Sequence, residues 1–345
     1  MLRPRSDTTL PSTQALALPA ELPTWNPLTP MEELPLKLQQ LRQAQQQLNR
    51  MIADAEGQVL HFLRKGALVE RQHVVKKLIG RFYPFTTSLL EEHYAKLTAS
   101  GILANACTVE LASEIRQFDK SFKLDWSGIS DASPYLRKLM GRFHYKISLG
   151  HAAANISVGW DEELIRRYAI DDESFFTNLS LTNGVQWHET IIRSFFDRWV
   201  YTTDGLLDNP YLPWDDDSLP ALLSELNAAK YEAENEEELS EDETEAYLIE
   251  AKAAATKMKR RYWQRHSADR FREWTVDYLR QNADKFDWQE LSANPALPFS
   301  FALLIEFEEQ WNWDALALNY GLYRKALQPL LSNTIVDEFL TLYKD

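Results

Sequence analysis

A pattern of aromatic residues, leucine and asparagine that recurs about every 25 residues constrains this chain more than any other feature. Three positions of one copy recur 25 residues later, and the pairs are Trp288 with Trp313, Asn294 with Asn319, and Leu297 with Leu322. The segments 201–214 and 286–299 match without a gap, and weaker copies extend the pattern over most of residues 125–340. A unit this short cannot bury its own apolar face, so neighbouring units are expected to stack into a curved helical array.

Each unit is predicted to be a helix-turn-helix element. A short turn rich in aromatic residues and leucine leads to an Asn-Pro step that interrupts the helix, and a polar N-cap such as Ser300 or Asp161 then opens the next helix. The segment from Asp125 is a degenerate first copy, which is typical of a capping repeat. The tryptophans are expected to pack between units, with ligand stacking as the alternative. They are Trp160, Trp187, Trp199, Trp214, Trp288, Trp311 and Trp313.

The pattern W-x-W-x-x-L-S-x-N, followed by L-P-W or L-P-F, is carried here by Trp288, Leu291, Ser292, Asn294, Leu297 and Phe299. It resembles the tandem Trp-rich helical repeats of poorly characterised bacterial and viral proteins. The resemblance covers about half of the chain, and the copies before Tyr201 depart from it because they lose the Asn-Pro step or the paired aromatics. It implies an architecture and no activity.

Composition narrows the fold class. Only 11 of the 345 residues are glycine, which leaves few residues for the turns of an all-β fold, so an all-α fold is predicted. Cys107 is the only cysteine, which excludes an intramolecular disulfide and a cysteine-based zinc site and suits a cytoplasmic location. No apolar run is long enough to span a membrane. The formal net charge of −14 disfavours general binding to nucleic acid.

The chain divides by composition into five predicted parts. A Pro-rich tail, expected to be disordered, covers residues 1–35, and an N-terminal helical bundle covers 36–120. Degenerate Trp-rich helical repeats cover 121–222, and a charged helical insertion covers 223–285. The C-terminal Trp-rich repeats cover 286–345.

The first predicted helix, residues 36–65, carries an interrupted heptad pattern. One seam position holds Leu38, Gln45, Ile52 and Val59, and the other holds Leu41, Leu48, Ala55 and Phe62. The pattern is compatible with a coiled-coil dimer. Because Gln45, Ala55 and Gly57 weaken the seam, a helix packed against the protein's own core is favoured over the dimer.

The insertion is acidic in its first part and basic in its second. Residues 232–245 are dominated by Glu and Asp, whereas basic residues interleaved with aromatics follow from Lys252 to Trp274. Such a basic, aromatic helix can bind phosphates or stack on bases, so five residues are candidates for partner binding. They are Lys257, Lys259, Arg260, Arg261 and Arg265. The favoured alternative is that the two halves pair across a hairpin or form solvated faces, and a third is that the acidic part masks the basic helix.

Catalytic patterns are not recognisable in the sequence. His188-Glu189 begins a zinc-protease pattern, but Ile192 stands where the second histidine is required. The acidic runs 171–173 and 215–217 could bind Mg²⁺, although each precedes an apolar helical run where acids cap the helix N-terminus. No catalytic residue, cofactor or metal ligand is therefore predicted.

These features predict a non-catalytic protein-binding scaffold or assembly subunit that uses a helical-repeat surface. The first alternative is a nucleic-acid-associated accessory factor that binds through residues 252–274, and the second is an enzyme with an acidic metal site. A protein is the expected partner.

Overall fold

The computed structural model describes residues 34–65, 71–98, 101–168, 173–202, 204–235 and 239–343. Within these ranges the regular structure is helical, and a single isolated β-bridge joins Trp160 to Val185. The predicted all-α class is confirmed. No helix in these ranges is both long enough and apolar enough to cross a membrane. The predicted disordered tail, apart from its last residues, lies outside them.

Nineteen α-helices are present in the described ranges. The first ten are α1 (Leu34–Lys65), α2 (Gln72–Phe82), α3 (Thr87–Leu97), α4 (Ala112–Phe118), α5 (Trp126–Ala132), α6 (Leu136–Phe143), α7 (Leu149–Ala154), α8 (Glu162–Tyr168), α9 (Glu173–Leu181) and α10 (Glu189–Ser194). The others are α11 (Leu219–Asn235), α12 (Glu241–Arg260), α13 (Tyr262–Ala268), α14 (Val276–Gln281), α15 (Trp288–Ala293), α16 (Phe301–Glu306), α17 (Trp313–Leu316), α18 (Tyr320–Leu322) and α19 (Asn333–Leu342). The segment 102–110, which the sequence left unassigned, forms the 3₁₀ turns Ile102–Ala104 and Ala106–Thr108. Further 3₁₀ turns span His144–Lys146, Leu206–Asp208 and Gln328–Leu330.

Local capping explains why these helices are short and where they begin. Ser300 Oγ accepts a hydrogen bond from the Leu303 amide at 3.2 Å, and Asp161 Oδ1 accepts one from the Leu164 amide at 2.9 Å. Each bond satisfies a backbone N–H that has no partner inside the helix. The two N-caps predicted from the sequence are confirmed.

Buried asparagines recur along the chain and cap the C-terminal ends of earlier helices. Asn155 Nδ2 donates to the carbonyls of Ser130 and Ser133, both at 3.0 Å, at the end of α5. Asn319 Nδ2 donates to the carbonyls of Ser292 and Asn294, at 2.8 and 3.2 Å, at the end of α15. The same arrangement occurs at Asn105, Asn209 and Asn294. Because terminal helix carbonyls lack an intrahelical donor, each asparagine ties its own segment to the preceding one.

The packing of successive elements forms a closed circuit. Helix α2 packs against the turn 102–104, which packs against α5, and the series continues through α7, α9 and the turn 206–208 to α12. Helix α13 follows α12 after one residue and packs against α15, which packs against α17, and α17 packs against α2. The segment at Asp125 therefore has neighbours on both sides. Helix α5 packs against the turn 102–104 and against α7, while the interpretation of this segment as a degenerate capping repeat stays a prediction.

The buried apolar side chains form two clusters. One contains residues from 63–122 together with residues from 274–340, so both ends of the chain share it. Phe82 joins the two ends directly, with its ring centroid 5.4 Å from that of Tyr320 and 5.5 Å from that of Tyr323. The other cluster runs from Ile129 to Met258 and includes the inner face of the α11–α12 hairpin. The five-part division and the sequence repeat themselves stay predictions.

Candidate binding surfaces

Most basic side chains of the insertion already contact carboxylates or other oxygen atoms of the protein. Lys257 Nζ lies 2.5 Å from Asp208 Oδ1, and Lys259 Nζ lies 2.8 Å from Asp217 Oδ1. Arg261 Nε donates to the Gln264 side chain at 2.7 Å, while Arg260 is exposed on the last turn of α12. Exposed ion pairs are weak, but each carboxylate here cancels a charge that phosphate binding would use.

Arg265 has a structural position among the five candidates. Its Nε donates to the Pro210 carbonyl at 2.6 Å, and its other nitrogens lie 3.4 Å from the carbonyls of Leu212 and Met258. These bonds tie α13 to the segment that follows the turn 206–208. The basic candidates therefore lie on one stretch of chain without presenting one free surface.

The pairing expected between the acidic and basic halves of the insertion is wrong in its partners. Helices α11 and α12 do pack as a hairpin, but the basic residues face Asp208, Asp215 and Asp217, which precede α11. The described acidic residues of this run lie at the end of α11 and the start of α12, where Ser240 and Glu243 form a reciprocal cap. The 20 residues of α12 place this cap about 30 Å from the basic end. The acidic part therefore does not mask the basic helix in this arrangement.

The acidic run 215–217 is used in the same contacts. Asp216 accepts hydrogen bonds from the Ser218 amide and hydroxyl at 2.9 and 2.7 Å, and these bonds lower the pKa of its carboxyl. Asp215 and Asp217 face Arg265 and Lys259. In the other acidic run, residues 171 and 172 lie outside the described ranges. A metal site on either run stays a hypothesis.

The tryptophans lie where packing between units requires them. Trp160, Trp199 and Trp214 are among the largest fully buried side chains, Trp187 and Trp311 are buried, and Trp288 and Trp313 are half-buried against the core. Trp187 and Trp214 donate their indole N–H to the carbonyl five residues earlier, at 3.0 and 2.6 Å. Their burial agrees with the predicted core role. Trp187 also contributes to the cleft described next.

A described cleft contains two arginines, Arg270 and Arg272, that are not among the five candidates predicted from the sequence. It has a volume of about 370 Å³ and is lined by parts of three segments, 183–187, 210–215 and 262–272. We call it the arginine cleft, because Arg265, Arg270 and Arg272 all line it. A sequence signal existed: Asp269 and Trp274 precede Asn294 and Phe299 by 25 residues, the spacing of the predicted repeat, and Arg270 and Arg272 follow Asp269 closely.

His266 lies in the wall of this cleft between Tyr278 and Arg272. Its Nε2 lies 2.6 Å from the Tyr278 hydroxyl, and its Nδ1 lies 3.4 Å from Arg272 Nη1. Burial lowers the pKa of His266, and the neighbouring Arg272 lowers it further, while Asp269 acts in the opposite direction. A neutral imidazole can accept from Arg272 through Nδ1 and donate to Tyr278 through Nε2.

This lowered pKa predicts a specific pH dependence of stability. Below the ordinary pKa of 6.5 the unfolded chain binds a proton at His266 more readily than the folded chain does, so stability falls as the pH falls through this range. The His266→Gln variant is expected to lose less stability than the wild type between pH 7.5 and pH 5.5. Urea unfolding of both proteins at the two pH values measures the difference. Equal losses would contradict the assignment.

The N-terminal half of α1 carries an exposed apolar face. The exposed fractions of Leu36, Leu38, Leu48 and Ile52 are 62%, 49%, 36% and 48%. The C-terminal part of the helix packs against α19, and Leu63 is completely buried. The predicted core helix is therefore correct only for this last part. The side chain of Phe62 lies outside the described set.

An apolar groove adjoins this face. It is about 300 Å³ in volume and is formed by the residues 48–59 of α1 together with Pro329, Leu330 and Ile335. Glu56 is its polar member and accepts a hydrogen bond from the Ser332 hydroxyl. Leu38 lies on the same side of α1 as Leu48 and Ile52, which line this groove, and we call this side of the helix together with the groove the α1 face.

The described residues contain one cluster with the composition of a metal site. Glu92, His93 and Asp337 bring one ligand atom each within 4.8 Å of one another. His93 Nε2 lies 2.7 Å from Asp337 Oδ1, and this bond joins α3 to α19. The contact accounts for the cluster as a connection between two packed helices.

Comparison with known proteins completes the description of these surfaces. No family model, curated protein or solved structure matches this chain. The resemblance to Trp-rich repeat proteins stays a prediction from the sequence pattern.

Proposed function

We propose that this chain is a non-catalytic assembly subunit that binds protein through the α1 face, and that the first occupant of this face is a second copy of the chain. The observation that supports the proposal is the exposure of Leu36, Leu38, Leu48 and Ile52 along one helix. A contiguous apolar face on a projecting helix is a common mark of a protein interaction site.

The α1 face is self-complementary when two copies run antiparallel. Leu38 is an exposed apolar side chain near the helix start, and the groove formed by residues 48–59 lies near its other end. If the twofold axis passes between residues 46 and 47, Leu38 of each copy lies opposite Ala55 of the other. Each Leu38 then enters the partner's groove, as an isologous interface requires.

The charges along α1 favour the same direction. Lys37, Arg42 and Arg50 precede Asp54 and Glu56 along α1, and Arg64 and Lys65 end the helix. In an antiparallel pair Lys37 lies opposite Glu56 twice, while a parallel pair places Arg42 beside Arg42. Since like charges at the flanks of a coiled coil are unfavourable, the antiparallel arrangement is preferred.

The intact protein is therefore expected to form a dimer that depends on the α1 face. Replacing both Leu38 and Leu48 by glutamate places charges in the seam, and the double variant is expected to be monomeric at concentrations where the wild type is dimeric. Light scattering after size-exclusion chromatography, at several concentrations and after nuclease treatment, measures the state. Leu318→Glu is the matched control, because Leu318 is also exposed, at 53%, but lies outside α1.

Cross-linking tests the direction of pairing. The variants are made in a Cys107→Ser background. In the antiparallel pair, the two copies of position 45 are offset by about 5 Å along the helix axis, whereas the two copies of position 38 are offset by about 25 Å. A short bis-maleimide should therefore link Gln45→Cys and leave Leu38→Cys unlinked. A wild type that stays monomeric overturns the self-association, and links at both positions overturn the antiparallel geometry. If the dimer disappears after nuclease treatment, the favoured function becomes nucleic-acid binding through the exposed basic residues of α12.

A further inference from the structure

The arginine cleft contains two guanidinium groups that lack an acidic partner. Among the described residues, no carboxylate forms an ion pair with Arg270 or Arg272, although Asp215 and Asp269 also line the cleft. Asp215 faces Arg265 at 3.7 Å, and Asp269 Oδ1 accepts the Phe271 amide at 2.9 Å. Both aspartates thus have partners of their own.

Arg270 is held in a position that an anion would stabilise. Its Nη1 is enclosed and makes no hydrogen bond within the described residues. Burial lowers the pKa of its guanidinium, and no neighbouring carboxylate offsets this effect. A buried charge without a partner is costly, so a site of this kind is stabilised when an anion enters.

Arg272 completes a two-arginine site. Its guanidinium carbon lies 4.5 Å from the centroid of the Tyr278 ring, and its Nη1 lies 3.4 Å from His266 Nδ1. The ring and the imidazole orient the guanidinium without cancelling its charge. In a protein whose net charge is −14, two such arginines in one cleft are a local arrangement that opposes the overall charge.

The walls and size of the cleft indicate what accompanies the anion. Tyr262 and Phe271 line the cleft and are exposed by 43% and 54%, which places two aromatic rings where a flat group can stack. The amides of Asn183 and Gln186 line another wall and can bond to polar ring edges. A volume of about 370 Å³ is in the range of sites for small molecules.

We propose that the arginine cleft binds a small phosphate ester that carries a flat ring, in the size class of a mononucleotide, with the phosphate on Arg270 and Arg272 and the ring against Tyr262 or Phe271. Arginine suits this role because its planar fork can donate two parallel hydrogen bonds to phosphate oxygens. The site is independent of the α1 face, so either proposal can fail without the other.

Calorimetry on the intact protein tests the site with three probes: adenosine 5′-monophosphate, inorganic phosphate and adenosine. The monophosphate is expected to bind with one-to-one stoichiometry and at least about tenfold more tightly than either fragment, because only it uses both parts of the site. No binding of the monophosphate at millimolar concentration, or equal binding of adenosine, overturns the proposal. Equal binding of inorganic phosphate would indicate a site for free phosphate and would overturn the assignment of a phosphate ester as the ligand.

Variants locate the binding. Arg272→Gln is expected to weaken the monophosphate by about tenfold or more, and Phe271→Ala is expected to weaken it while leaving inorganic phosphate unchanged. Arg260→Gln removes an exposed arginine outside the cleft and is expected to change neither. Arg270→Gln is expected to act like Arg272→Gln, and because Arg270 is half-buried with its Nη1 enclosed, the fold of this variant is checked by circular dichroism. Binding that is unchanged in Arg272→Gln would overturn the assignment even if Arg270→Gln does not fold.

Discussion

Replacing Asn155 by leucine is expected to lower the free energy of unfolding by about 4 kcal/mol, because three backbone groups lose their partner together. The side-chain amide donates to the carbonyls of Ser130 and Ser133, and its oxygen accepts the Ser157 amide at 2.9 Å. Leucine has a similarly branched side chain but can form none of these bonds. Each buried group left without a partner costs about 1–3 kcal/mol. Urea unfolding of wild type and variant measures the loss.

Asn235 provides the matched control for this change. Its side chain also donates to a backbone carbonyl, that of Tyr231, at 2.8 Å, but it lies exposed near the end of α11. Water can replace this bond, so Asn235→Leu is expected to change stability by less than about 0.5 kcal/mol. A loss of similar size in both variants, or of less than about 1 kcal/mol at Asn155, would show that the buried asparagines do not hold successive segments together.

These asparagines show how far the sequence could predict the fold. Their spacing was visible, and the Asn-Pro step was interpreted as a break between helices. What the sequence did not supply is the partner of each side chain, because the carbonyls that accept from Asn294 belong to residues 25 and 27 positions earlier. A helix end that needs donors is a local property, but which segment supplies the donor depends on how the units stack.

The basic helix shows the same limit for the binding surfaces. Lys257 and its partner Asp208 are 49 residues apart in sequence, and the hairpin α11–α12 brings them together. In the sequence, the acidic part of the insertion was the nearest candidate partner for its basic residues. The arginine cleft was missed for a related reason, since its three walls come from separate parts of the chain and only stacking places them together.

For α1, the sequence pattern predicts that a helix forms, but packing determines which part of its apolar stripe is buried. The heptad pattern predicted the helix, and it is present as Leu34–Lys65. The same apolar stripe is buried at Leu63 and exposed at Leu38, because α19 covers only the C-terminal part. An interrupted stripe therefore indicates a helix without indicating whether the protein's own core or another chain covers it.

Replacing Gly321 by alanine is expected to destabilise the protein by about 3 kcal/mol, although alanine normally stabilises a helix relative to glycine. Gly321 lies in α18, and a Cβ atom built there would approach the carbonyl carbon and Cα of Pro295 to 2.7 Å. These are backbone atoms of the preceding segment, so the clash cannot be relieved by turning a side chain. Lys325 also joins this part of the chain to the segment at Pro295, since its Nζ donates to the carbonyls of Ala296 and Leu297 at 2.7 and 2.6 Å.

Gly141 gives the control with the opposite sign. It lies exposed within α6, and a Cβ atom there would meet nothing within 4 Å. Gly141→Ala is therefore expected to raise the free energy of unfolding by about 0.5–1 kcal/mol through the ordinary helix preference. Thermal and urea unfolding of the two variants test the pair. If Gly321→Ala also stabilised the protein, the close approach of α18 to the segment at Pro295 could not be a fixed part of the circuit, because the added methyl group has no other space to occupy.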